Sequence, residues 1–279
     1  MGRACPAPTS EPERASALAN SSMLSHSAVR ARMTPRRLAK RARTALRKAA
    51  DARAATQQRK LFKPGEKVQF YGIPTPRLRQ IERDIYHAVR KEWKYADALE
   101  FCELMMPDRY VESKSLGLML LARYHRQFEE DLLRRVQCWL EADLCDNWAV
   151  TDQLSGQIIS RMLDKFDALA SKVESWNRSP NLWVRRASAV SFVKPAGKGG
   201  HLDRTYRIVT ILLPDQHDLI HKASGWLLRE AGKADAIRLE RYLLEHGPAI
   251  SRTTVRYAIE RFPSAKRRKI LEKTRTAKA

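Results

Sequence analysis

Cysteine is scarce in this chain and never spaced for metal binding. The four residues Cys5, Cys102, Cys138 and Cys145 contain no C-x-x-C pair. A structural zinc site needs such paired ligands, so no metal is expected. Long apolar runs are missing as well, and no stretch has the length of a membrane-spanning helix. Residues 1–14 lack the apolar core of a secretory signal, and Pro6 stands where N-myristoylation requires Ser or Thr. No sustained alternation of apolar and polar residues is present, which removes the usual sign of a half-buried sheet. Acidic residues are the last shortage: 31 Asp and Glu face 53 Lys and Arg, for a formal charge of +22. Together these absences predict a cytoplasmic protein with free thiols, no cofactor and no membrane partner; it is expected to be a monomer.

A positive surplus of that size repels itself unless an anion balances it. Nucleic acid is the usual partner, because each neutralised phosphate releases a counterion. An anionic membrane is the rival, but no basic amphipathic segment carries the exposed apolar face that such anchoring needs. The charge is concentrated at the ends. Residues 34–60 hold ten basic residues and one acid, and residues 263–279 hold seven and one. Residues 1–33 hold four and two, so the span 61–262 carries only +5. Either basic end fits a solvated segment as well as an affinity element.

Composition divides the chain. Residues 1–33 are rich in Ala, Ser, Pro and Arg, cannot bury enough apolar surface to order themselves, and read as a disordered tail. Residues 34–60 are built from Ala, Arg, Lys and Leu and predict a basic N-terminal helix. Beyond it come short amphipathic helices with tight breaks: an N-cap at Thr75 before Pro76, another near Asn181, and a stop at His246-Gly247-Pro248. Residues 263–279 read as a basic tail. Small residues packed among large apolar ones recur around Arg79, Leu118, Asp152, Ala187, Gly225 and Ala258, at gaps of 39, 34, 35, 38 and 33. That is close to the period of HEAT or armadillo helical pairs. One such pair cannot bury its apolar face alone, so the reading is an all-α chain stacked into a curved solenoid, an α-α superhelix of HEAT-like helical-pair repeats.

Three segments carry candidate chemistry. Trp148 and Asp152 are four apart and share a helical face. A ring face beside a carboxylate is a resting place for a cation, and the same spacing fits a core Trp with an Asp that caps or pairs with Arg. In Trp183-Val184-Arg185-Arg186-Ala187, one arginine can follow the inner face while the other points away; both can equally be solvated. In Lys222-Ala223-Ser224-Gly225-Trp226, small residues permit close helix packing beside Trp226, which suits a site wall or an ordinary core. His217 and His221 lack the Glu of a zincin helix. Gly197-Lys198-Gly199-Gly200 lacks P-loop spacing and reads as a flexible loop.

These blocks, with Phe70-Tyr71-Gly72-Ile73-Pro74-Thr75-Pro76-Arg77-Leu78-Arg79, resemble the DNA alkylation repair proteins of the AlkD type. Those proteins are HEAT-like solenoids that excise alkylated purines. The resembling blocks are the aromatic-Gly-x-x-x-Pro-x-x-Arg opening, Trp148 with Asp152, Trp183 to Ala187, and Lys222 to Glu230, within residues 61–262. The resemblance implies a metal-independent DNA glycosylase in base-excision repair, acting on double-stranded DNA with alkylated bases. It places Asp152 at the catalytic acid, Trp148 and Trp226 at aromatic walls of the site, and Arg186 at an inner-face arginine that meets the DNA backbone. One position differs: Leu61-Phe62-Lys63-Pro64-Gly65 offers no Tyr where the family can place one against the lesion. Two other readings remain open, a non-catalytic DNA-binding solenoid and a protein-binding adaptor.

Overall fold

The structure is a computed structural model and describes residues 32–275. The tail reading of 1–33 therefore lies outside the described residues except at its last two positions, and those are tied down. Arg32 holds the Asp97 carboxylate with two hydrogen bonds, and the Trp93 indole N–H donates to the Met33 carbonyl at 2.7 Å.

Residues 34–60 form two helices rather than one, α1 (Pro35–Lys48) and α2 (Ala52–Arg59). The break has a local cause. The Asp51 N–H donates to the Tyr71 carbonyl at 2.9 Å, while its carboxylate accepts from the Ala54 N–H and caps α2. Tyr71 approaches so closely because Gly72 follows it: φ is +84°, and a Cβ there would lie 2.0 Å from the Asp51 carbonyl oxygen. The buried Glu112 carboxylate then accepts from three successive backbone N–H groups, those of Tyr71, Gly72 and Ile73, at 3.0, 2.9 and 3.1 Å. The opening block is thus a clamp that fixes where the next helix begins. That helix is α3 (Thr75–Val89), which starts on Pro74 without the Thr75 cap that the sequence predicts.

The chain continues through α4 (Tyr95–Met105), α5 (Val111–Arg123), α6 (Leu132–Glu141) and α7 (Trp148–Leu154). A π turn over Ser155–Ile159 joins α7 to α8 (Ser160–Lys165). Then come α9 (Leu169–Ser175), α10 (Leu182–Val190), α11 (Val193–Gly197), α12 (Leu202–Leu212) and the long α13 (Asp218–Ala234). The described residues end with α14 (Ala236–Glu245), α15 (Arg252–Ala258) and α16 (Ser264–Lys273). The last of these packs against α14 and buries Ile270, so most of the expected basic tail is an ordered helix.

The fold is an all-α curved solenoid of helical pairs. One row runs α3, α5, α7, α10, α13, α15, each packed on the next. Helices α4, α9, α12 and α14 back this row. The six residues that mark the sequence period all fall on the first row. The apolar core is continuous along the stack, as expected where no pair buries its own face. Gly225 shows how close the packing is, since a Cβ there would meet the Tyr257 Cβ at 2.4 Å and the Thr254 carbonyl at 2.7 Å. Residues 197–200 are an ordered helix stop and not a flexible loop: Gly199 takes a φ of +85°, and the Gly200 N–H donates to the Pro195 carbonyl at 2.9 Å. Among the described residues, no helix is long and apolar enough to cross a membrane.

Candidate active site

Helix α7 is fixed at its start by Asn147. This buried side chain accepts from the Val150 N–H at 3.0 Å, while the Thr151 hydroxyl donates back to the Cys145 carbonyl at 2.9 Å. Gln153 ties the same turn to α5 through the Ser115 carbonyl at 3.0 Å. Asp152 therefore projects from a well-anchored turn. Its two oxygens accept from the Arg186 guanidinium, Nε to Oδ1 at 2.7 Å and Nη2 to Oδ2 at 2.8 Å. The remaining guanidinium nitrogen donates to the Leu219 carbonyl at the start of α13. Arg186 thus joins α7, α10 and α13 through one planar group.

Burial pushes the Asp152 carboxyl above its ordinary value, while the charge and hydrogen bonds of Arg186 pull it back. The side chain stays 16% exposed, whereas that of Arg186 is 5% exposed. Sequence resemblance places Arg186 on the DNA backbone. Here it lies behind Asp152, with Nε, Nη1 and Nη2 all hydrogen-bonded within the protein. Its neighbour Arg185 faces elsewhere, pairing with Asp215 at 2.7 Å and donating to the carbonyls of Ser179 and Pro180.

Asp152 lines a cavity of about 400 Å³ on the inner row. Leu78 and Arg79 of α3, Met119 of α5, Gln157 of the π turn and Lys194 of α11 form its walls, and Trp226 of α13 is part of the same lining. Among the described residues Asp152 is the sole carboxylate of that lining, set against the cations Arg79 and Lys194. The π turn has a visible role. A turn one residue wider than an α-turn re-aims the side chains that follow it. Gly156 and Gln157 of this turn line the cavity, and Lys194 donates to the Gly156 carbonyl.

Trp148 begins α7 one turn before Asp152 and is half-buried. It stacks on Phe62 with ring centroids 4.9 Å apart and planes 19° from parallel. Phe62 belongs to a loop shaped by Arg59, whose guanidinium donates to the carbonyls of Phe62, Lys63 and Glu66. Lys63 on the same loop pairs with Asp218 of α13 at 3.2 Å. The loop without a Tyr therefore still supplies an aromatic face beside Trp148. Nothing in the spacing points to this contact, because the two rings are more than 80 residues apart in sequence. Gln157 and Lys194 were equally hidden, having no motif of their own.

The histidines serve as turn supports. The His217 ring nitrogen accepts from the Leu219 N–H at 3.2 Å, and His221 bonds to the Asp215 carbonyl at 2.6 Å. Among the described residues, no group of three or more His, Cys, Asp and Glu has metal-holding geometry.

A family model described as DNA alkylation repair enzyme matches residues 42–262. The chain belongs to that family. The match takes in the second half of α1 and all of α2 along with the solenoid. Among solved structures, a predicted DNA alkylation repair enzyme from Enterococcus faecalis is similar, with a TM-score of 0.68 and 14% identity. The similarity covers 77% of this chain and 97% of that one. At that identity the likeness speaks for the fold. No curated protein matches. Membership in the DNA alkylation repair family carries a role in the repair of alkylated DNA.

Proposed function

We propose that this protein is a DNA N-glycosylase that hydrolyses the N-glycosidic bond of positively charged alkylated purines, of the 7-methylguanine and 3-methyladenine type, in double-stranded DNA. One observation carries the reading. The cavity of the inner row holds a single carboxylate, Asp152, gripped by Arg186 and accompanied by Trp226.

The chemistry follows from charge. Alkylation at N3 or N7 makes the purine cationic and weakens its bond to the sugar. When that bond breaks, its electron pair leaves with the base, which becomes neutral, and positive charge develops on the sugar. A carboxylate beside the sugar stabilises the oxocarbenium ion. Water then adds to C1′ and gives up its proton to the surrounding solvent, leaving an abasic site and the free, neutral base. Asp152 orients that water. Arg186 keeps the carboxylate ionised against the burial that would protonate it. The Trp226 ring in the lining attracts the cationic base or sugar through its quadrupole, while Trp148, stacked on Phe62 and outside that lining, supports the turn that carries Asp152. No step requires a metal, because the substrate carries its own activating charge.

The competing reading is a DNA-binding solenoid that performs no chemistry. The two separate cleanly on duplex DNA treated with a methylating agent. Release of free methylated purine, matched by an equal number of abasic sites, supports the enzyme. Salt-sensitive binding without any base release would leave only the binding protein.

A further inference from the structure

Asp152 and Gln157 line the same cavity although they stand five residues apart. On a regular α-helix that spacing leaves two side chains about 140° apart, on different faces. The π turn over Ser155–Ile159 begins between them. A π turn takes more residues per turn, so five residues come closer to one full circuit. One stretch of helix thus presents a carboxylate and a neutral amide to a single space.

The two groups differ in what already holds them. Each Asp152 oxygen accepts one bond from Arg186 and keeps a second lone pair. The other amide of the lining, Gln153, donates to the Ser115 carbonyl and ties α7 to α5. The Gln157 side chain is half-buried and, among the described residues, has no hydrogen-bond partner. The turn that carries it is nevertheless fastened. The Ser155 hydroxyl donates to the Thr151 carbonyl at 2.7 Å, and Lys194 donates to the Gly156 carbonyl. Gln157 is therefore a free amide on a fixed base.

Addition of water to C1′ calls for a pair of acceptors. Water has two O–H bonds. A carboxylate alone accepts one and leaves the molecule free to turn about it. A second acceptor takes the other, and the lone pairs of the water oxygen then point away from both, toward the sugar. Arg79 and Lys194 of the lining cannot do this, because their side chains only donate. The amide oxygen of Gln157 can.

We propose that Gln157 holds the attacking water, its amide oxygen accepting one O–H while Asp152 accepts the other. This inference rests on the glycosylase reading. It also gives the cavity a choice of nucleophile. Two acceptors suit water, which has two O–H bonds, better than an alcohol, which has one.

The test lets methanol compete with water. Attack by the methanol oxygen on C1′, with its proton lost to solvent, gives a methyl glycoside in place of the abasic site, and the same free base. Methylated duplex is turned over once in buffer containing methanol, and the product strands are resolved by mass spectrometry. Wild type should yield the abasic site with little methyl glycoside. Gln157→Leu and Gln157→Ala should release 7-methylguanine about three- to tenfold more slowly, the worth of one hydrogen bond. Both should form the methyl glycoside as a larger share of product. Gln157→Glu keeps an oxygen acceptor at the same reach and should return that share toward wild type. Thermal unfolding, and affinity for a duplex carrying a stable abasic-site analogue, verify that each variant folds and binds. A larger share at an unchanged rate still supports the proposal, since base departure then limits the rate. Slower release with the product share of wild type assigns Gln157 to structure alone and overturns it, as does no change in either. If wild type releases no methylated base, the glycosylase reading falls and this assignment falls with it.

Discussion

Asp152 is pulled in two directions, upward by burial and downward by Arg186, and the balance sets the pH range in which it serves as an anion. Its carboxyl lies above the ordinary value. Activity that needs the carboxylate is therefore lost, as pH falls, at a higher pH than a free Asp would dictate, with about 3.9 as the reference. Arg186→Gln removes the downward pull. The acid limb of the base-release profile should then move to still higher pH. Arg186→Lys, which keeps the charge but not the two-pronged grip, should return the limb toward wild type at reduced rate. A limb that stays in place in Arg186→Gln would show that Arg186 only supports the fold. The substitution should also destabilise by about 3–5 kcal/mol, since it leaves a largely buried carboxylate unpaired, and urea unfolding measures that part. At this scale the sequence was half legible. The Trp148–Asp152 spacing placed both residues on one helical turn. The partner of Asp152 lies 34 residues away, and no local pattern chooses Arg186 over Arg185 for that role.

Among elements, the inner helices were the legible ones. Each inner helix must present small and apolar residues to its neighbours on both sides, and that demand repeats at the length of a helical pair. The elements between them were not legible. The break between α1 and α2 depends on the carbonyl of Tyr71, twenty residues beyond Asp51, and composition cannot report it. The π turn after α7 leaves no mark in the apolar pattern, yet it brings Gln157 to the cavity. The loop over residues 61–67 is likewise set by Arg59 through backbone carbonyls. Its Phe62 covers one face of Trp148. Phe62→Ala should cost about 3–5 kcal/mol, the range for truncating a buried Phe, with about 0.5–1.5 kcal/mol of it from the ring stack. Trp fluorescence should shift as the indole gains water. Unchanged stability and an unchanged spectrum would mean that the ring stack holds nothing in place.

Across the whole molecule, charge and curvature divide the work. The excess of positive charge sits at the two ends, while the span 61–262 carries +5. In α16, Arg267, Arg268 and Lys269 are exposed. Replacing all three with Gln should weaken binding to every duplex alike and make its salt dependence shallower. Undiminished affinity would remove the C-terminal helix from DNA binding. On the proposed reading the ends act as a general attractant, and the inner face supplies selection and chemistry through one carboxylate. The most direct measurement of that claim compares wild type with Asp152→Asn for single-turnover release of 7-methylguanine from duplex DNA, after subtraction of spontaneous loss. Wild type should release the base, and the Asn variant should be slower by on the order of 10²–10³. Equal rates for the two proteins would contradict the account.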